Sequence, residues 1–223
     1  MHLADTAEAN AGEPKRRSIV REVVETLLLA LIIFVAVRAV VLNFRVDGLS
    51  MLPSLHDQEL LLVNRNAYAN FDAWSLVDWL PLVEHAEASE IHPFSPPQRG
   101  DIVVFDPPVE NPDEPYIKRI IGLQGETVEI RDGGVFIDGI RLNEPYLGGE
   151  ETRCNGQQYC GPITVPEGTV YVLGDNRDDS TDSADFGPVA VDQIIGKVWI
   201  TYWPPKDFGP VSSPNYDESE ESP

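Results

Sequence analysis

Apolar residues run almost unbroken from Val23 to Leu42, and the stretch from Leu27 to Val37 contains no polar side chain. Twenty helical residues rise about 30 Å, the thickness of a bilayer's hydrocarbon core, so the run predicts one transmembrane helix, with Glu25 and Arg38 near its ends. Beyond it the period shortens. Glu126-Thr127-Val128-Glu129-Ile130, Val135-Phe136-Ile137 and Ile140-Arg141-Leu142 read as short strands, and Asp132-Gly133-Gly134 and Asp138-Gly139 between them read as hairpin turns. Gly196-Lys197-Val198-Trp199-Ile200 reads as a further strand, and Arg99-Gly100-Asp101 opens another. Outside the anchor, helical periodicity is confined to a weak pattern from Phe71 to Val83, with Trp74, Leu76, Trp79, Leu80 and Leu82. It belongs to an insertion at about 67–98, whose tryptophans suit a membrane–water interface. A helix packed over a sheet edge is the simpler reading of the same residues. The pattern as a whole predicts a mainly β, antiparallel ectodomain behind one N-terminal transmembrane helix.

About 165 residues separate that helix from an acidic ending, enough for one substantial core or two small joined sheets. Net charge is −21, from 37 acidic and 16 basic residues, which argues against a nucleic-acid partner because phosphate binding needs a basic face. Asp217, Glu218, Glu220 and Glu221 close the chain as a solvated tail. Lys15, Arg16, Arg17 and Arg21 precede the apolar run, so the positive-inside rule puts the N-terminus in the cytoplasm and the remainder outside. A cleaved secretory signal has a similar layout, and Val37-Arg38-Ala39 loosely fits a cleavage site, but apolar sequence resumes at Val40-Val41-Leu42 as an anchor requires. The two cysteines, Cys154 and Cys160, lie in a polar loop; outside the cytoplasm a disulfide closing that loop is permitted, two free thiols being the alternative. No histidine stands at ligand spacing with them, so no metal site is expected.

Chemistry enters with Ser50, in Gly48-Leu49-Ser50-Met51-Leu52-Pro53-Ser54-Leu55, a few residues after the apolar run. A serine hydroxyl is a weak nucleophile and needs a neighbouring base. The chain has four lysines: Lys15, Lys118, Lys197 and Lys206. Lys118 lies within the apolar strand Tyr116-Ile117-Lys118-Arg119-Ile120-Ile121, where Tyr116 and Ile120 share its face. Desolvation there favours the neutral amine that can take a proton. Lys15 precedes the anchor, Lys206 follows Pro204-Pro205 near the tail, and Lys197 is the one serious competitor. His56 beside Asp57, six residues after Ser50, offers a Ser–His–Asp alternative, but a triad is defined by geometry that sequence does not give. A third segment, Gly174-Asp175-Asn176-Arg177-Asp178-Asp179-Ser180-Thr181-Asp182-Ser183, is too dense in hydroxyls and carboxylates for a strand and suits a hydrogen-bonded loop.

Together these segments resemble the bacterial type I signal peptidases, the serine–lysine leader peptidase family, from about Glu22 to Pro204. The serine box is Ser50 to Leu55, the lysine box Arg99 to Phe105 followed by Tyr116 to Leu123, and the last box Gly174 to Ser183. The resemblance implies Ser50 as nucleophile, Lys118 as general base, Ser180 hydrogen-bonding the lysine amine, and Asp182 bracing the loop. It implies an oxyanion hole built on the Ser50 N–H, without the extra hydroxyl that some members carry two residues earlier, since that position is Gly48. Ser54 replaces the family's usual threonine, Gln124 and Glu126 a common proline and aspartate, and Ala184 an arginine that pairs with Asp182, leaving Arg177 or nothing as its partner. Met51, Pro53 and Ile102 are expected substrate contacts. The implied activity is cleavage of signal peptides from exported preproteins at a membrane surface beside the secretion translocon, with no cofactor. An inactive peptide-binding homologue is the alternative. The implied layout is a cytoplasmic tail at 1–18, the transmembrane helix at 19–42, and an extracytoplasmic peptidase domain at 43–210. That domain holds the insertion and a hairpin subdomain at about 124–170, and a disordered acidic tail occupies 211–223.

Overall fold

The computed structural model describes residues 19–68, 96–109, 114–211, 213, 214 and 216. The expected helix from Phe71 to Val83 and the basic cluster up to Arg17 lie outside these residues. Two units are distinguished, Met1–Ala39 and Val40–Pro223. In the first, helix α1 (Ile19–Val40) presents an apolar surface exposed on every side. The span Val20–Val40 has a mean hydropathy of 2.5 and the length to cross a membrane. The helix was expected to reach residue 42 but stops at Val40. Val41 and Leu42 instead begin strand β1 (Val41–Arg45), paired antiparallel with β2 (Leu60–Asn64), where the partner strand satisfies the backbone groups that another helical turn would have bonded.

The second unit is built on an antiparallel sheet of eight strands. Besides β1 and β2 these are β3 (Ile102–Phe105), β4 (Tyr116–Gly122), β9 (Thr169–Leu173), β10 (Val189–Ala190), β11 (Ile194–Trp203) and β12 (Gly209–Pro210). Their order is β1-β2-β11-β3-β4-β9-β10, with β12 paired to β11. Both faces of the centre are covered: Ile102 and Val104 of β3 join a cluster with Met51, Leu55, Leu61 and Ile117, while Val103 and Phe105 join Ile120, Val170, Val172 and Val189 on the other side. That is why β3 reads as a continuous apolar run rather than an alternation.

A second sheet of four strands, β5 (Thr127–Arg131), β6 (Gly134–Ile137), β7 (Ile140–Arg141) and β8 (Ile163–Thr164), has the order β7-β6-β5-β8. Its two tight turns take positive φ at both central residues, Asp132 (49°) with Gly133 (73°) and Asp138 (50°) with Gly139 (82°). This backbone matches the twist of paired strands and is the reason Asp-Gly marks a hairpin. Val128, Ile130, Val135 and Ile137 bury their apolar side against Ile121 and Tyr171 of the larger sheet. Cys154 and Cys160 are joined by a disulfide in the loop before β8, with Cα atoms 6.0 Å apart.

Asp217, Glu218, Glu220 and Glu221 of the expected acidic tail lie outside the described residues, but the residues described just before them lie against the domain. Val211 packs on the first core cluster and donates its N–H to Trp199 O at 3.0 Å. Pro214 and Tyr216 lie over Gly100, where an added methyl would meet the Tyr216 ring at 2.8 Å. Apolar side chains in an otherwise acidic ending find cover where glycine leaves the surface open.

The strands of the lysine box are tied to the two flanking boxes by one side chain. Arg119 of β4, 1% exposed, donates Nε and Nη2 to the two carboxylate oxygens of Asp175 at 2.8 and 2.7 Å, Nη1 to Gly100 O at 2.9 Å and Nη2 to Ser54 Oγ at 3.1 Å. Its guanidinium also stacks on Tyr146, 4.2 Å from the ring centroid. Removing one partner of such a pair leaves a bare charge in the interior. Arg119→Ala is therefore expected to lower unfolding stability by about 3–5 kcal/mol, and Arg119→Met combined with Asp175→Leu to recover much of the loss, in urea titrations of detergent-solubilised protein. Equal destabilisation by the single and double variants would contradict this account.

Candidate active site

Ser50 sits on the connection between β1 and β2. The two strands continue to pair past their ends, with Val46 N–H donated to Glu59 O and Gln58 N–H to Val46 O. The chain then turns at Gly48, whose φ of +95° favours glycine, and Gly48 N–H is held by Asp57 Oδ1 at 3.0 Å. Two helical-type bonds follow, Leu52 N–H to Leu49 O and Leu55 N–H to Met51 O. Met51 and Leu55 are each 1% exposed and pin the turn to the core, leaving the part-buried Ser50 on its outer side.

The Lys118 amine lies 2.8 Å from Ser50 Oγ and 3.1 Å from Ile117 O. Tyr116, two residues before it on β4, covers the amine from 5.2 Å. Among the described residues no carboxylate pairs with Lys118. Burial is the dominant influence and brings its pKa from 10.5 down to about 8, against the weaker pull of the Asp182 and Asp175 charges. With Ile117 O accepting one amine proton, a neutral amine is free to turn its lone pair to the Ser50 hydroxyl. Lys197 is placed differently: its amine is 2.6 Å from Asp101 Oδ1, so it is ion-paired and away from Ser50.

The loop after β9 completes the arrangement. Asp182 accepts N–H groups from Gly174 at 2.9 Å and Ala184 at 3.1 Å, capping the short helix α2 (Ser183–Phe186). Burial pushes its carboxyl up, opposed by the Gly174 N–H, the Ser180 hydroxyl and the Ala184 N–H. The expected Ser180 to Lys118 hydrogen bond is not formed. Ser180 Oγ is buried and makes no bond of ordinary geometry, packed instead against Gly174. A side chain on Gly174 would collide with Ser180 Oγ and with Ser50 O, so glycine lets this loop reach the serine turn. Asp182 does not pair with Arg177, which is taken by Glu144 at 2.5 Å and Gly174 O at 2.9 Å.

Other expectations sort clearly. Met51 and Ile102, read as substrate contacts, are both 1% exposed and belong to the core, because their side chains anchor the strands that carry the site. Pro53 is exposed on the serine turn. His56 bonds Glu59 through Nδ1 at 3.1 Å, so the Ser–His–Asp alternative has no geometric support. Sequence reasoning missed Asn176, which donates its backbone N–H to Ser50 O at 3.0 Å and Nδ2 to Leu49 O at 3.2 Å. Its position beside Asp175 was visible; its reach to the serine turn was not.

A buried amine with a lowered pKa opposes folding wherever it is charged. The unfolded chain binds the extra proton between about pH 8 and 10.5, so stability rises with pH across that window and the full penalty applies below it. Lys118→Met is expected to raise the thermal midpoint at pH 7, with the gap from the unmodified chain narrowing by about pH 10. A variant less stable at pH 7 would show that the amine is not desolvated.

Comparison with known proteins gives the context. A model of the family described as signal peptidase, peptidase S26, matches residues 20–203. The signal peptidase I of Leptolyngbya laminosa is 33% identical over 215 residues, covering 93% of this chain and 92% of the relative. That of Bacillus caldolyticus is 34% identical over 175 residues, covering 74% and 81%. Signal peptidase IB of Staphylococcus aureus (strain COL) is 28% identical over 206 residues, covering 86% and 94%. A crystal structure of a signal peptidase I from Enterococcus faecalis V583 covers 46% of this chain and 97% of its own at 39% identity, with a TM-score of 0.41. With the family matched across both sheets and all three boxes, the chain belongs to the signal peptidase family, peptidase S26.

Proposed function

We propose that the chain is a membrane-anchored serine endopeptidase that removes N-terminal signal peptides from exported preproteins, with Ser50 as nucleophile and Lys118 as general base. The observation that carries this reading is the 2.8 Å approach of a buried, carboxylate-free lysine amine to the Ser50 hydroxyl. In the neutral state Lys118 takes the Ser50 proton as Oγ adds to the scissile carbonyl carbon, and the carbonyl electrons move onto oxygen. The Ser50 N–H stabilises that oxyanion. The intermediate collapses to an acyl-enzyme, expelling the mature protein's new amine, which takes its proton from Lys118. Lys118 then deprotonates water, which adds to the acyl carbon and breaks the ester bond to Ser50 Oγ; Oγ regains the proton from Lys118 as the signal peptide leaves. Asp182 and Ser180 act on the loop that supports the turn, and no cofactor is needed.

The substrate would lie extended beside the serine turn, as peptides do when added to a sheet. Helix α1 supplies the anchor, and the basic cluster before it orients the N-terminus to the cytoplasm and the catalytic domain outward, near the translocon. The Cys154–Cys160 disulfide suits that oxidising side.

Detergent-solubilised protein is expected to cut a synthetic signal peptide after the small residue at the −1 position, located by mass spectrometry. Ser50→Ala should reduce the rate to background, and Lys118→Ala by at least about 10²–10⁴-fold. Full activity in either variant would discard the mechanism, and no cutting by the unmodified chain would favour a peptide-binding role. The rate constant kcat/KM should climb as pH rises through about 8 and level off above it, since only deprotonated Lys118 serves as base. A profile flat between about pH 6 and 10 would remove Lys118 from that role.

A further inference from the structure

Asn176 grips both carbonyls that flank the nucleophile. Its backbone N–H bonds Ser50 O at 3.0 Å, and its side-chain Nδ2 bonds Leu49 O at 3.2 Å, across 127 positions of sequence. The neighbouring Asp175 is fully buried in the ion pair with Arg119, so the backbone that carries Asn176 is held in place. Nδ2 rather than Oδ1 must face Leu49 O, because two carbonyl-type oxygens at that distance repel.

The Leu49–Ser50 peptide bond is not among the cis bonds, so its C=O and N–H point in opposite directions within one plane. Fixing Leu49 O therefore aims the Ser50 N–H. Leu49 O accepts a second donor, Leu52 N–H at 3.1 Å, and two donors on an amide oxygen draw electron density from its nitrogen. The result is a more strongly polarised N–H. Among the described residues nothing accepts that N–H, which leaves it for a ligand. Gly48 has no hydroxyl to share the task, and its own N–H is already bonded to Asp57. Stabilisation of the oxyanion thus falls on the Ser50 amide.

We infer that Asn176 is a positioning residue for the oxyanion site, aiming and polarising the Ser50 N–H through the Leu49 carbonyl. The inference rests on Ser50 being the nucleophile of the proposed function. An asparagine that merely closed the loop would affect folding or substrate binding. One that tunes the oxyanion donor acts on the tetrahedral state alone.

The test uses full-length protein in detergent with a signal-peptide substrate and the matching peptide aldehyde, whose carbonyl carbon accepts Ser50 Oγ to form a tetrahedral adduct. Loss of a direct oxyanion donor costs about 10²–10³ in kcat; Asn176 acts one peptide group away, so Asn176→Ala should lower kcat about tenfold with KM nearly unchanged. Aldehyde affinity should fall by the same factor, while substrate peptide binds Ser50→Ala and Ser50→Ala/Asn176→Ala equally. Unchanged kcat, a loss confined to KM, or unchanged aldehyde affinity would overturn the inference. Should Asn176→Ala melt early, Asn176→Asp keeps the shape and the backbone bond but turns the donor into an acceptor. Its kcat should stay low on the high-pH plateau; recovery there would mean that only the Lys118 ionisation had moved, and would also overturn the inference. An unmodified chain that cuts nothing removes the activity and this inference with it, whereas an active chain with a fully active Asn176→Ala removes the inference alone.

Discussion

The structure depends on the contact between the Arg119 guanidinium and the Asp175 carboxylate. Removing two charges from water is costly, and a well-packed apolar pair can match a buried ion pair in stability. What an apolar pair lacks is direction. The planar fork of arginine addresses both oxygens of Asp175 and still reaches Gly100 O and Ser54 Oγ, so segments 54, 100, 119 and 175 acquire one mutual geometry. Ser50 lies four residues from the first of these, Lys118 next to the third and Asn176 next to the last. The charged network orders its neighbours while the candidate chemistry is left to a lysine outside it.

Lys197, Val103 and Lys118 lie opposite one another across β11, β3 and β4, a single row with a lysine at each end. Their surroundings separate them. Asp101 meets Lys197, and is itself bonded by Tyr68 at 2.6 Å, so that end of the row is a structural ion pair. At the other end a tyrosine ring, a carbonyl and a serine hydroxyl surround the amine without a counter-charge in contact. A carboxylate beside Lys118 would make the fold more comfortable and keep the amine protonated. Among the described residues there is none, an arrangement that gives up stability in the way proposed catalytic groups do.

Local chemistry made much of this legible. Asp-Gly steps announced the second sheet because only a few residue types accept two successive positive φ values. The apolar company of Lys118 announced its burial, and a chain with four lysines left few rivals. Contacts between distant loops were not legible in the same way. Nothing in the run Gly174 to Ser183 distinguishes an Arg177 that meets Glu144 from one that meets Asp182, or a Ser180 packed on Gly174 from one bonded to an amine. Met51 and Ile102 lie in the core for related reasons: Met51 follows Ser50 but turns to the inner side of its turn, and Ile102 of β3, paired with Arg119, faces the same apolar cluster.

Alternation along β4 has one more consequence. Lys118 stands between Ile117 and Arg119, and a strand displaced by one position against its neighbours exchanges its faces. Such a slip would bring either a side chain with no nitrogen or a guanidinium to Ser50. Neither can take up a proton, since the guanidinium never gives one away. With Lys118 as the proposed base, a copy misregistered at β4 would lack that base, so the proposed activity depends on correct pairing of β4 with its neighbours.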